Sequence, residues 1–439
     1  MSAHPFPTVF RNWAGTAQAQ AHAWVHPQSE AEIAAALIRA GRQGRRVKVI
    51  GAGHSWSDIA CSDGYLLQLD GMQRVLRVDH ARKQITVQAG IRLHQLIDAM
   101  ARYGMTLPVI GSVTQQSIAG AIATGTHGSA AGLGCLSSRV VALRMVLADG
   151  SIVRASHDQN PDLLHAAQVH LGALGVLSEV TLATVPTFAL REEQCVLPFD
   201  DVVRDLPQII DSAPYVKLWW LPHVDSILLS RCQPTTQASD LRRLAHWVDE
   251  KLVNRWLFSS VLRASSRWPA GIPYVNRAVA AAYFRPCVRH GPNTSILPVP
   301  MPPVHEETEY ALPIEQAAVA LVRLRALIHA RGLRINFPAE LRFVAADPAW
   351  LSPMSHRASA CLGAYIGCDM GPDRQEYFAA FEELMVSMSA RPHWGKQFSV
   401  GKEYLRSVYP DLDRFAALRA ALDPQRLFQN DFLRRTLGD

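Results

Sequence analysis

The chain has 439 residues, 49% hydrophobic and 19% charged, which is ample core material and more than one compact domain holds, so two domains are expected. The formal net charge is +6, but the basic residues are dispersed, with no Lys/Arg block and no aromatic-basic motif, so no nucleic-acid partner is expected. Seven cysteines without CxxC spacing argue against a disulfide framework or a metal site, and no apolar run reaches the ~18 residues of a membrane span, so with no leader-like pattern in "MSAHPFPTVFRNWAG" the expected location is the cytoplasm.

The first 186 residues alternate short strands and helices. "SEAEIAAALIRAGRQG" opens with Ser29 and Glu32 in capping-box spacing and predicts a helix. "RRVKVIGAG" then predicts a strand ending in the tight turn Gly51-Ala52-Gly53, where missing Cβ atoms let backbone amides approach an anion. A Rossmann fingerprint needs a third glycine where Trp56 stands, and Asp58 comes too early to be its ribose acid. His54 follows the turn; read alone, it is most simply a polar turn residue. "YLLQLD", "QRVLRVD" and "QITVQAG" predict strands, "RLHQLIDAMARYG" an amphipathic helix, and "VVALRMVLADGSIVRAS" a hairpin turned at Asp149-Gly150.

A second glycine-rich segment, "GSVTQQSIAGAIATGTHGS" at 111–129, has a candidate N-cap at Ser117, then Gly120 and the turn Thr124-Gly125-Thr126-His127. Its amides and interleaved hydroxyls suit a pyrophosphate at a helix N-terminus, although a close-packed Gly/Ala helix would explain the glycines alone. "LGALGVLSEVTL" at 171–182 is a third glycine-punctuated turn into a strand. Pro186 ends this texture, placing a domain boundary near residue 187. Beyond it, "LPVPMPPVHEE" at 297–307 reads as an extended connector and "IEQAAVALVRLRALIHARG" as a longer helix.

In "RINFPAELRFVAAD", Glu340 and Arg342 are two apart in a strand pattern, so both project to one face. Such a pair can hold polyol hydroxyls by charge-assisted hydrogen bonds, or be a plain surface pair. Lys396 closes the turn "RPHWGK" beside Trp394 and Gly395, and could be a surface lysine or a fixed cation at an active site.

The three glycine-rich segments, in this order and spacing, resemble the vanillyl-alcohol oxidase family of FAD-binding proteins. Within it, "VIGAGHSWSDIACSDG", "GTHGS" and "LGALGVL" resemble the sugar-1,4-lactone (gulono-, galactono- and arabinono-lactone) oxidases and dehydrogenases and the related alditol oxidases, as do "AELRFVAAD", "WLSP", "RPHWGK" and the closing "YPDLDRFAALRAALDPQRLFQNDFLRRTLG". The resemblance implies an α+β, two-domain FAD-binding fold of the PCMH type. Residues 8–187 would form the FAD domain, 188–400 an α+β substrate cap, and 401–439 a tail packing back on the FAD domain. It implies FAD, joined covalently through His54 and held by Gly51, Ala52, Gly53, Ser55, Ser117, Gly120, Thr124, Gly125, Thr126, His127, Val176 and His393. Glu340, Arg342 and Lys396 would be catalytic, with Ser112 and Tyr365 reaching the substrate. The implied reaction is oxidation of a sugar lactone, with electrons passing to dioxygen or another acceptor. An alditol is the alternative substrate, weakened because Gly363 aligns where alditol oxidases carry an active-site histidine; a non-catalytic flavin-binding protein is a distant third.

Overall fold

The computed structural model describes residues 8–241, 258–299, 303–367, 370 and 372–439. Local sequence chemistry sets several elements. Ser29 is extended and its Oγ accepts the Glu32 N–H at 3.3 Å, starting the helix Glu30–Arg42, whose Ile33, Ala36, Leu37 and Ala40 form the buried stripe. The Glu32 carboxylate returns to the Gln28 N–H at 3.1 Å, one residue beyond the capping-box partner. The hairpin Val140–Val146 with Ile152–Ser156 turns through Gly150 at φ +83°, a left-handed conformation that favours glycine.

Two hydrophobic cores organise the molecule. The first lies among a three-stranded parallel sheet (Ala23–Val25, Tyr65–Gln68, Val47–Ile50 in spatial order) and a five-stranded antiparallel sheet (Ile152–Ser156, Val140–Val146, Val176–Ala183, Gln84–Gln88, Val75–Asp79). The end of the chain completes it. Phe415, Phe428, Phe432 and Leu433 belong to this core, the Val47 N–H donates to Leu427 O at 2.8 Å, and the Asn430 amide donates to Ile59 O and Cys61 O at 3.0 and 2.9 Å. Trp350 and Trp394 join the same core, so it draws on stretches far apart in sequence.

The second core lies under one face of an eight-stranded antiparallel sheet, ordered Cys287–Pro292, Ala189–Pro198, Ser226–Thr235, Tyr215–Trp220, Ala339–Val344, Ser359–Gly367, His305–Pro313 and Arg391–Pro392. Alternation along each strand sorts the residues. Leu218, Leu341, Phe343, Leu362 and Ile366 pack with the helices Ala317–Ala330 and Pro372–Ser387. The opposite face carries Lys217, Glu307, Glu309, Glu340, Arg342 and Tyr365 toward the first domain. Hydrogen bonds stitch the two together, including the Ala130 N–H to Phe343 O at 2.7 Å and the Phe343 N–H to the Ser129 hydroxyl Oγ at 3.0 Å.

One expectation fails here. His305, Glu306 and Glu307 begin a strand buried as far as Leu312, whereas the sequence reads as part of a connector; residues 300–302 lie outside the described residues. The run "HEETEY" has the polarity of a surface segment, and its burial is possible because cations from other elements meet its carboxylates. No helix among the described residues is long and apolar enough to cross a membrane.

Candidate active site

A trough runs between the glycine-rich segments, lined by the turn at Gly51, the short helix Ile118–Ala123 and the loop at His170–Gly172. The first two come very close: a Cβ on Gly51 would stand 2.4 Å from Ser117 Oγ, so any larger residue would push that hydroxyl aside. Ser117 caps the short helix, its Oγ accepting the Gly120 N–H at 3.3 Å. The trough shares His54, Ser55, Gln116 and Thr124 with a cavity of about 300 Å³ that lies against the polar face of the eight-stranded sheet. Burial, with help from the Arg92 and Lys396 charges, pushes His54 down to about 4, which leaves a neutral imidazole facing both spaces.

Two carboxylates on one strand hold the cavity's cations. Cross-strand register places Glu307 opposite Tyr365 and Glu309 opposite Gly363, which also pairs with Glu340. Lys396 donates to Glu307 and sits 4.0 Å from the centroid of the Trp56 ring. Burial alone would raise Glu307, but the Lys396 charge overrides it and holds the carboxyl down at about 2. Arg342 donates to Glu309, and its Nε lies 3.5 Å from Glu340 Oε2. Burial would likewise raise Glu309; Arg342 and His127 hold it well below the usual carboxylate range. The Tyr365 hydroxyl donates to Glu340 at 2.9 Å. His127 lies between Gly128 O at 2.9 Å and Glu309 Oε1 at 2.8 Å, so both its nitrogens face acceptors.

The structure brings Glu340, Arg342, Lys396, Ser112, Tyr365, Thr126, His127 and His393 to this cavity, and Gly51, Ala52, Gly53, Ser55, Ser117, Gly120 and Thr124 to the trough. Two expected residues stand elsewhere. The Val176 side chain is fully buried in the first core, and its neighbours Gly175 and Leu177 line the trough instead, because strand alternation turns Val176 inward. Gly125 faces Pro353, which would lie 3.1 Å from a Cβ at that position. His305, Glu307 and Glu309 were not anticipated; their signal is the period-two spacing in "HEETEYALP", which puts all three on one face. A larger open groove of about 1470 Å³ lies on the far side of Trp56, the single residue it shares with the cavity.

Residues 180–436 match the family model described as D-arabinono-1,4-lactone oxidase, more than half of the chain. The chain belongs to that lactone-oxidase family. Residues 21–156 match an FAD binding domain, which includes the His54 turn and the Ser117 segment, so this member of the family is an FAD-dependent oxidoreductase. It is 36% identical over 431 residues to an L-gulono-1,4-lactone dehydrogenase of Mycobacterium tuberculosis, covering 98% of this chain and 99% of that protein. It is 32% identical to the L-gulonolactone oxidase of Mus musculus, covering 97% of each. In fold it is similar to a solvent-stable cholesterol oxidase, with a TM-score of 0.84 over the whole of both chains at 19% identity.

The trough fits a dinucleotide cofactor. Besides the glycine approach at Gly51, two buried polar atoms on its wall have no protein partner: Gln116 Oε1 and His170 Nε2. The Gly172 N–H donates to His170 Nδ1 at 3.2 Å, so Nε2 carries the hydrogen, and burial keeps that ring neutral by pushing it down to about 3. One orphan acceptor and one orphan donor facing a glycine-walled space are what a polar ligand would satisfy.

The structure also decides what can stand at position 363. A Cβ on Gly363 would lie 2.8 Å from the Tyr365 ring, so a histidine there would displace the tyrosine that donates to Glu340.

Proposed function

We propose that the protein oxidises a sugar-1,4-lactone of the L-gulono, L-galactono or D-arabinono type, passing a hydride from the lactone C2 to FAD, with dioxygen or another acceptor taking the electrons onward. The observation that carries this reading is the convergence of Glu340, Arg342 and Lys396, from two distant stretches of sequence, on one cavity beside His54. FAD, when bound, supplies the two-electron acceptor. The chain's residues do the rest. Glu340 and Arg342 orient the lactone hydroxyls, and Ser112 and Tyr365 add polar contacts. Lys396 offers a fixed positive charge to the negative charge that develops as the cofactor is reduced. The names of the relatives, oxidase and dehydrogenase both, support this substrate class. The two cores support a division into an FAD domain at 8–187, a cap at 188–400 and a returning tail at 401–439. Six free cysteines among the described residues support a cytoplasmic location.

Turnover with aldonolactones and with sugar alcohols, followed with dioxygen and with an artificial dye, tests the reading. Lactones are expected to turn over faster, and the ratio of the two acceptor rates separates oxidase from dehydrogenase.

We assign the covalent flavin tether to His54, whose neutral ring keeps a lone pair available for the bond. Acid-precipitated protein is expected to stay yellow and its gel band to fluoresce, while His54→Ala should lose that band. Complete release of flavin from the wild type by acid would remove the assignment.

A further inference from the structure

His305 lines the substrate cavity and is itself 2% exposed. It stands among Trp13, Trp56, Phe337 and Tyr365, with ring centroids 5.5, 5.3, 4.9 and 5.5 Å away. Its Nδ1 lies 2.8 Å from Pro303 O, an atom that can only accept, so Nδ1 carries the hydrogen. When the ring is neutral, Nε2 is its lone-pair nitrogen, and that atom is buried with no hydrogen-bond partner. A buried acceptor left open on the wall of a substrate cavity is costly unless a ligand uses it.

We propose that His305 is the general base of the reaction, its Nε2 taking the hydroxyl proton of the substrate as the hydride leaves. This rests on the lactone reading above. In the step, the substrate C–H bond breaks with its electron pair transferred as hydride to the bound flavin. The O–H bond breaks with its proton moving to Nε2, and the C=O π bond forms. The substrate loses two electrons, the flavin gains two, and the ring becomes an imidazolium.

The other groups facing the cavity are less suited. Glu307, on the same strand, is held at about 2 and is too weak a base at neutral pH. His393 accepts the Gly395 N–H at its Nδ1, so its other nitrogen presents a hydrogen. His127 has acceptors at both nitrogens, His54 is the flavin anchor, and Glu340 already receives the Tyr365 hydroxyl. Of the charged and titratable groups around His305, Glu307 favours the product state of the step and the Lys396 cation opposes it. Glu307 Oε2 is 3.8 Å from Nε2 and would balance the imidazolium; Lys396 is bonded to that carboxylate and lies over Trp56, and Tyr365 is turned to Glu340.

His305→Asn retains an amide hydrogen for Pro303 O and deletes the open acceptor; His305→Gln places a non-basic amide near Nε2. Anaerobic stopped-flow reduction of each holoenzyme by L-gulono-1,4-lactone is expected to slow by about 10²-fold or more. Lactone binding to the dithionite-reduced holoenzyme, which takes no hydride, is expected to weaken less than about tenfold, because only one neutral hydrogen bond is lost. Variants reduced at the wild-type rate, or losing rate and binding in equal proportion, would overturn the assignment. A wild type that lactone does not reduce would instead remove the lactone reading itself, and this assignment with it.

Discussion

Arg342→Ala is expected to lower kcat/KM by about 10³-fold or more, roughly 4 kcal/mol, and to raise KM as well as lower kcat. Arg342 is the common partner of Glu309 and Glu340, with its side chain 7% exposed, so its loss strips charge compensation from two buried carboxylates at once. Removing one partner of a buried ion pair typically costs about 3 to 5 kcal/mol, so the variant should also unfold at lower denaturant concentration. Bound FAD should remain, because the trough and His54 do not depend on this side chain. The pH dependence has a definite sign. Glu307 and Glu309 are depressed in the folded protein, so the stability they contribute is present above the usual glutamate value of 4.5 and is lost as the pH falls through their lowered values, about 2 for Glu307. In Arg342→Ala, Glu309 loses its principal counter-charge, and the acid loss should begin at higher pH. A variant with wild-type stability and wild-type KM would show that Arg342 neither compensates the carboxylates nor positions the substrate.

Lys396→Met should slow flavin reduction by roughly 10²-fold or more, the scale for deleting one preorganised electrostatic group. Its side chain is 14% exposed and fixed from two sides, by Glu307 and by the Trp56 ring, so the charge does not have to reorganise when the flavin becomes negative. The substitution also leaves Glu307 buried without its cation, and that carboxyl should then take up a proton at higher pH. Lactone binding to reduced enzyme should change little, which separates this variant from Arg342→Ala. An unchanged reduction rate, measured anaerobically with FAD fully bound, would show Lys396 to be a structural partner of Glu307 only.

Much of the site's scaffold is legible from local rules. The Ser29 cap, the Gly150 hairpin and the one-sided projection of Glu340 and Arg342 each follow from spacing within a few residues, and each element forms where that spacing places it. The unforeseen parts depend on contacts across long sequence separations. Nothing within "HEETEYALP" states that Lys396 and Arg342 will neutralise Glu307 and Glu309, so its polarity reads as solvent exposure until the sheet is assembled. His305 is hidden for the same reason. Val176 follows a different rule: the period of two along its strand turns Gly175 and Leu177, rather than the Val176 side chain, to the trough. The two cores likewise form in space, with Trp350 and Trp394 reaching the first core from within the cap's sequence.

The most direct test is anaerobic mixing of the wild-type holoenzyme with L-gulono-1,4-lactone or with xylitol, watching the flavin absorbance. Rapid bleaching by the lactone and slower or no bleaching by xylitol is the predicted result. Faster bleaching by xylitol would mean that the cavity around Arg342 and Lys396 serves an alditol, and no bleaching by either would contradict the proposed reaction altogether.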